Sequence, residues 1–550
     1  MKRFVIGTDY GTLSARTVLV NVKTGEEVAE AVYPYPHGVM DETLPSGKRL
    51  PPNFALQHPA DYPEALSHNI PAVLALAGAS ADEVAGICID FTACTLIPLN
   101  GKGDPLCYEP EFADHPHAYV KLWKHHAAQA EADEINALAE ARGELWHGIY
   151  GGKISCEWAL PKILEILHKA PEIYHRTARF SEAADWLTLL LTGKGVHSAA
   201  FAGYKALWNG ETGYPCDDFF KALHPDLAGI VGTKLSENIL GMGQVAGTLT
   251  AAGAALTGLW EGLPVAVPAI DAHAAMPALN LTEDGDLMVI LGTSACHLVH
   301  GYQGVSVPGI CGYVKDGVIP GAYTYEAGQA GVGDLFDWFV RNGVPGGYEA
   351  EAKARGINLH ALLREKAQGL RPGQSGLLAL DWLSGNRSIF VDSDLTGLIL
   401  GMTLQTRPEE LYRAWIESTA YGLKLILEQY EGAGILIRNL CAAGGIAKKD
   451  EMMMQIYADV LGRPIDVAAS SQAAALGCAV YAAVAAGIYP DVPTAAKAFA
   501  KPPVRTYTPV AEHSEIYEKI YAEYKKLSFL FARENDVMKV LGNLKKEALQ

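Results

Sequence analysis

A chain of 550 residues is too long for one hydrophobic core, so two or more domains are expected. It is 49% hydrophobic and 19% charged, an ordinary globular balance. Its 44 Lys and Arg against 62 Asp and Glu leave a net charge of −18, which argues against a nucleic-acid partner, since that partner needs a basic face. Recognition of a free nucleotide is local and is left open by the charge.

The first element is Phe4-Val-Ile-Gly-Thr-Asp-Tyr-Gly-Thr-Leu-Ser-Ala-Arg-Thr-Val-Leu-Val20, read as strand, glycine turn and returning strand, with Phe4–Ile6 and Thr17–Val22 as the strand formers. The turn offers Asp9, Gly11, Thr12, Ser14 and Arg16. Glycine admits backbone N–H groups to phosphate oxygens, hydroxyls donate hydrogen bonds, a carboxylate holds a magnesium ion's water shell and a guanidinium offsets charge. A plain hairpin with a polar tip fits this segment equally well. The apolar start is too short for a signal peptide and runs into Asp9.

A helix is expected over Pro63–Ala77, a strand over Gly86–Asp90, and helices over Tyr119–Glu140 and Trp158–Leu167. His125 and His126 adjoin without a second ligand group at zinc spacing and read as surface or polar-cleft histidines. Thr192-Gly-Lys-Gly lacks the hydroxyl of a phosphate-binding loop, and no clear dinucleotide-binding glycine pattern follows a strand. The nine cysteines form no CxxC pair and read as free thiols in a reducing cytoplasm, where the protein is expected to reside.

The strand Val265–Ile270 ends at Asp271, where a small-residue helix begins. Ligands of α/β sheets gather at the carboxyl ends of strands, so Asp271 is a candidate general base, kept ionised by the helix N-terminus. A simple helix cap is the alternative. Asp286–Leu291 and Ala295–His300 form a second strand–turn–strand unit around Gly292, Thr293 and Ser294. It echoes the opening hairpin and suggests a duplicated fold with a cleft between halves that meet near Leu281–Gly285; chance recurrence of a common tripeptide is the alternative. Helices are expected over Pro408–Tyr430, Lys449–Val460 and Ala473–Ala486. Gly444 and Gly445 allow flat contact with a nucleotide base or ribose; a plain tight strand-to-helix turn fits them equally well. The uncharged run Val467–Pro490 is the best candidate for a membrane span and reads as a buried helix instead.

The Asp-x-Gly-Thr-x-Ser-x-Arg hairpin, the Gly-Thr-Ser hairpin, the Asp271 strand end and the Gly-Gly-Ile-Ala turn together resemble the FGGY carbohydrate kinases of the actin-like ATPase superfamily. The likeness is strongest to the bacterial members that act on L-ribulose. It extends through Asp90-Phe-Thr-Ala-Cys-Thr95, Val120-Lys-Leu-Trp-Lys-His-His126, Gly152-Lys-Ile-Ser-Cys-Glu-Trp158, Glu182-Ala-Ala-Asp-Trp186, Ala202-Gly-Tyr-Lys-Ala-Leu-Trp208, Leu380-Asp-Trp-Leu-Ser-Gly-Asn-Arg387 and Met454-Gln-Ile-Tyr-Ala-Asp-Val460. Ala184 stands where the family is expected to carry Gly.

The resemblance implies an α/β fold of two actin-like (ribonuclease H-like) ATPase domains flanking a catalytic cleft. A sugar-binding domain would span 1–283, an ATP-binding domain 284–490 and a helical extension 491–550. It implies Asp271 as base, with Ala93, Lys205 and Glu326 on the ketopentose. Thr12, Ser14, Arg16, Gly292 and Thr293 would line the phosphates, Gly444, Gly445 and Lys448 would border the adenosine, and Asp9 would organise magnesium. ATP and Mg2+ are the expected cofactors and L-arabinose breakdown the expected setting. No membrane partner is expected, and a homodimer is left open. The alternatives are another FGGY kinase, acting on xylulose, ribitol or glycerol, and an actin-like ATPase that uses nucleotide only to change shape.

Overall fold

The computed structural model describes residues 2–470 and 472–548. Two seven-stranded sheets organise the chain. The first holds β1 (Phe4–Tyr10), β2 (Ser14–Asn21), β3 (Glu27–Pro34), β4 (Val84–Phe91), β5 (Val245–Thr248), β6 (Pro264–Ala266) and β7 (Ala269–Ile270). Its order is β5-β6-β4-β1-β2-β3, with β7 paired to β4. The second holds β8 (Asp286–Leu291), β9 (Ala295–Gly301), β10 (Gly312–Lys315), β11 (Tyr323–Gln329), β12 (Asn439–Ala443), β13 (Ile465–Val467) and β14 (Arg505–Tyr507), in the order β10-β11-β9-β8-β12-β13-β14.

The two sheets repeat one plan. β1 is antiparallel to β2 and parallel to β4; β8 is antiparallel to β9 and parallel to β12. The echo between the two hairpins therefore holds at the level of topology. Parallel central strands are covered on both faces, which is why β4 is buried along its whole length and reads as an apolar run.

The helix Ala473–Ala485, late in the chain, lies on β1 and β4 of the first sheet and on the helix Asp271–Ala278. Small residues allow it. A Cβ on Gly7 would stand 1.8 Å from the Ala475 carbonyl oxygen, and one on Gly477 would stand 1.6 Å from that of Ala274. The uncharged run that contains this helix is thus core, with Ala475–Ala483 buried; its Ser471 lies outside the described residues. No helix among the described residues is long and apolar enough to cross a membrane. The segment read as a helical extension is woven into both halves. Its helix Val492–Phe499 joins the first core, β14 edges the second sheet, and the helix Ala511–Phe529 packs on the helices Pro408–Gly432 and Glu451–Leu461.

Three expected elements differ. Tyr119–Glu140 is not one helix: Val120–Lys121 is a strand, a turn follows, and the helix is Gln129–Arg142. Tertiary pairing overrides helix propensity here. Lys121 is in register with both Leu56 and Leu96, in a four-stranded sheet of Leu56–Gln57, Leu96–Leu99, Val120–Lys121 and Arg179–Glu182 that the sequence did not disclose. His125 is consequently not a surface residue. It is fully buried, with Nε2 at 2.9 Å from Glu165 Oε2, and burial pushes its imidazole down to about 3. Val265–Ile270 is interrupted between Ala266 and Ala269, where Pro268 has no N–H to give a ladder. Lys449–Val460 begins instead at Glu451, because the Asp450 side chain caps the helix by accepting from Met453 N–H at 3.0 Å.

Candidate active site

Parallel pairing sets three carboxylates side by side. Asp9 opposes Asp90 between β1 and β4, and Ala269 opposes Asp90 between β7 and β4, so Asp271 emerges at the same sheet end. Burial raises the Asp9 carboxyl above its usual value. Burial, then the charges of Asp9 and Asp271, raises Asp90 much further. Burial, with the charge of Asp9, pushes Asp271 up to about 7, so the helix N-terminus does not keep it in the ordinary carboxylate range as the sequence suggested. Asp271 occupies the first turn of its helix, with Oδ1 accepting from the Ala272 N–H at 2.6 Å. Asp90 Oδ2 accepts from Cys478 Sγ at 3.1 Å, while Oδ1 is buried without a partner.

The nearest balancing cation is Arg16, which pairs with Asp9 in register and places Nη1 3.4 Å from Oδ2. A desolvated group of hard oxygens with one unpartnered acceptor suits a divalent cation such as magnesium, which keeps most of its waters and takes one or two carboxylates. Asp9 and Asp90 fit that requirement. The described residues hold one tight three-ligand cluster, His37, His58 and Asp61, and Asp9 is not part of it.

The hairpin turn is held by its neighbours. Gly11 N–H donates to Ser14 O at 3.1 Å. Trp123 Nε1 donates to Thr12 Oγ1 at 3.2 Å, and Gln57 Nε2 donates to Thr12 O at 2.8 Å.

Lys205 ends the helix Ala199–Lys205, and Glu326 lies on β11 of the other sheet. The Lys205 ammonium donates to Glu326 Oε1 at 3.0 Å and Oε2 at 3.1 Å, and His273 Nε2 stands 3.2 Å from Oε2. Burial works against both charges, yet Glu326 holds Lys205 above its usual value, and Lys205 with His273 holds Glu326 well below the carboxylate range. Asp271 feels both, Glu326 raising it and Lys205 lowering it. Ala93 follows the end of β4, in the turn where Cys94 takes φ +60° and Lys162 Nζ donates to its carbonyl at 2.6 Å.

A cleft of about 560 Å³ opens beside this pair. Lys205 and Glu326 line it together with Trp123, His126, Glu157 and Arg387; Asp271 and Ala93 are not on its wall. The last four lining residues were assigned no role from sequence, although each sits in a stretch that carries the family resemblance.

The second hairpin gathers the other expected residues. Gly292 N–H donates to Ser294 O at 3.0 Å, and the Gly292 and Thr293 carbonyls accept from Gly333 and Val332 N–H at 2.9 Å. Ile290 pairs with Ala443, so Leu291 meets Gly444, whose φ of +97° and 2.4 Å clearance from the Leu291 oxygen leave no room for a Cβ. Gly445 starts a short helix. Lys448 Nζ donates to the Ala469 carbonyl at 2.7 Å, which turns its ammonium onto the backbone. The candidates thus fall into two groups: Asp9, Thr12, Ser14, Arg16, Ala93, Lys205, Asp271 and Glu326 around the ends of β1, β4 and β7, and Gly292, Thr293, Gly444 and Gly445 at the ends of β8 and β12.

The chain is similar to known proteins along nearly its full length. It is 50% identical over 538 residues to a ribulokinase of Bacillus licheniformis, covering 97% of this chain and 98% of that one. It is 50% identical over 549 residues to a ribulokinase of Halalkalibacterium halodurans, covering 99% and 98%. A xylulose kinase from Rhodospirillum rubrum has the same fold, with a TM-score of 0.79 at 24% identity over 96% of this chain and 99% of that one. A Plasmodium falciparum glycerol kinase solved with ADP gives 0.74 at 17% identity over 96% and 98%. Residues 4–277 match the N-terminal domain and residues 287–486 the C-terminal domain of one family. The chain is therefore a sugar kinase, and it belongs to the FGGY family of carbohydrate kinases.

Proposed function

We propose that this kinase transfers the γ-phosphate of ATP to the terminal hydroxyl of L-ribulose, giving L-ribulose 5-phosphate for L-arabinose breakdown in the cytoplasm. The observation that carries the reading is the Lys205–Glu326 pair beside Asp271: a donor, an acceptor and a base in one electrostatic neighbourhood, drawn from both halves of the chain. The 50% identity to ribulokinases supports the choice of sugar.

In this proposal residues 1–283 hold the sugar and 284–490 most of the ATP. Lys205, Glu326 and the Ala93 turn hold the ketopentose. Asp271 takes the proton of the attacking hydroxyl; a carboxyl at about 7 is well matched to that task near neutral pH. Thr12, Ser14, Arg16, Gly292 and Thr293 line the phosphates, and Gly444, Gly445 and Lys448 border the adenosine. Asp9, with Asp90, would hold a magnesium ion, which when bound neutralises phosphate charge. Closure of the cleft excludes water, the competing acceptor. Positioning and charge compensation carry most of the rate.

Phosphorylation assays over a panel of pentuloses and polyols test the reading. The expected result is a marked preference for L-ribulose. A preference for xylulose, ribitol or glycerol overturns the substrate, and ATP turnover indifferent to every sugar overturns the kinase chemistry.

A further inference from the structure

Arg387 is a charged group in the cleft that the proposed chemistry leaves unused. Its stem crosses β11 at Gly328: a Cβ on that glycine would stand 3.2 Å from Arg387 Cδ and 3.6 Å from Nη1. Gly328 is two residues from Glu326, hence on the same face of the strand, and Glu326 is among the groups whose charge Arg387 feels. Glu157 is the strongest of them. Among the described residues Arg387 forms no ion pair and no hydrogen bond, yet it lines the cleft. A guanidinium is always charged and offers five N–H donors with no acceptor, so this half-buried one, without a protein partner, holds its donors free for water or for an oxygen bound in the cleft.

Glu157 supplies the complementary half. One of its oxygens stands 3.1 Å from His126 Nε2, and burial notwithstanding, His126 and Arg387 hold it below its usual value, ionised and able to accept. Both walls are held by hydrogen bonds. Lys153 Nζ donates to Val391 O at 3.2 Å, and Gly309 N–H donates to Gly151 O at 3.2 Å, which ties the Glu157 segment to the other half of the chain. Asn386 Oδ1 accepts from Phe390 N–H at 2.9 Å, and the Asn386 and Asp392 backbones bond each other, which fixes the turn that carries Arg387.

A fork of donors beside an ionised acceptor matches a carbonyl oxygen next to a hydroxyl. In a ketopentose whose terminal hydroxyl lies at Asp271, that pair is the opposite end of the molecule. We propose that Arg387 and Glu157 form a subsite for the 1-hydroxy-2-keto end of the sugar, Arg387 donating to the carbonyl oxygen and Glu157 accepting from the adjacent hydroxyl. This rests on the sugar-kinase reading above and adds to it how a ketose is told from other acceptors.

The test is steady-state kinetics of the full chain and of Arg387→Met, Arg387→Lys and Glu157→Gln with L-ribulose and 1-deoxy-L-ribulose, which lacks the hydroxyl assigned to Glu157. Arg387→Met is expected to raise the KM for L-ribulose at least tenfold, with the KM for ATP within twofold and kcat changed far less than KM. Arg387→Lys is expected to fall between it and the parent. The parent is expected to disfavour the 1-deoxy sugar, and Glu157→Gln to lose most of that preference. A KM for L-ribulose within twofold of the parent in Arg387→Met, or an undiminished preference in Glu157→Gln, overturns the subsite while leaving the kinase assignment standing. A parent protein inactive toward every sugar overturns both. Thermal melts accompany each variant, and if Arg387→Met does not fold, the Glu157→Gln preference decides.

Discussion

Lys205 and Glu326 stand 3.0 Å apart although they are 121 positions apart in the chain, because the helix ending at Lys205 meets a strand of the second sheet. The pair is buried, so each charge depends on the other. Lys205→Met is expected to destabilise the protein by about 3–5 kcal/mol, most of it the cost of an unmatched buried carboxylate. The double variant Lys205→Met/Glu326→Gln should regain much of that stability in urea titrations without regaining sugar turnover. Equal instability of single and double variants would show that the pair is not what is lost.

Asp271→Asn is expected to lower turnover by roughly two orders of magnitude or more, the scale of losing a general base, with sugar binding weakened less. The pH dependence has a definite sign. The group must be ionised to accept a proton, and its folded value is about 7, so kcat/KM should climb as pH rises through about 7 and level off above it. Near-normal turnover in the variant would remove Asp271 from the chemistry.

Asp90 is raised in the folded protein by burial and by two neighbouring carboxylates. Such a group favours folding below its unfolded value near 4, and that contribution is lost as pH rises toward the raised folded value. Asp90→Asn should therefore be more stable than the parent at pH of about 8, by about 1–3 kcal/mol, and no more stable at about 4. It should also bind magnesium–nucleotide more weakly. Melting curves at the two pH values, with and without the nucleotide, check both parts.

Arg16 pairs with Asp9 on the opening hairpin and is partly exposed. Arg16→Ala is expected to weaken nucleotide binding while sugar affinity stays nearly intact. Calorimetry with each ligand separates the two; equal losses for both would place Arg16 in the sugar site or in the fold.

Gly477 lets the helix Ala473–Ala485 touch the helix that begins at Asp271. Gly477→Ala is expected to cost about 1–3 kcal/mol through overpacking. Because the displaced backbone is that of Ala274, three residues from Asp271, kcat should fall by more than the KM for either substrate rises. An unaltered melting temperature would contradict the packing seen here.

The opening hairpin and the second hairpin were readable because each is local, whereas the strand before Asp271 was read without its break at Pro268. Strand formers flank a glycine turn within about twenty residues, and the candidate side chains lie in or beside the turn itself. The segment Tyr119–Glu140 was misread because its helical pattern is overruled by a buried lysine that pairs with two strands from elsewhere. Arg387 and Glu157 lay in recognisable stretches, yet neither stretch says what it faces.

Local sequence thus determined the two glycine-turn hairpins, the acid at a strand end and the family to which the whole belongs, since these depend on neighbours along the chain. Only tertiary structure decided that Asp9, Asp90 and Asp271 share one desolvated site and that Glu326 of the second sheet completes a pair with Lys205 of the first half. The reason is physical: a carboxyl's proton affinity and an ion pair's strength depend on distance and on water removed, and both are set by the packing of segments far apart in the chain.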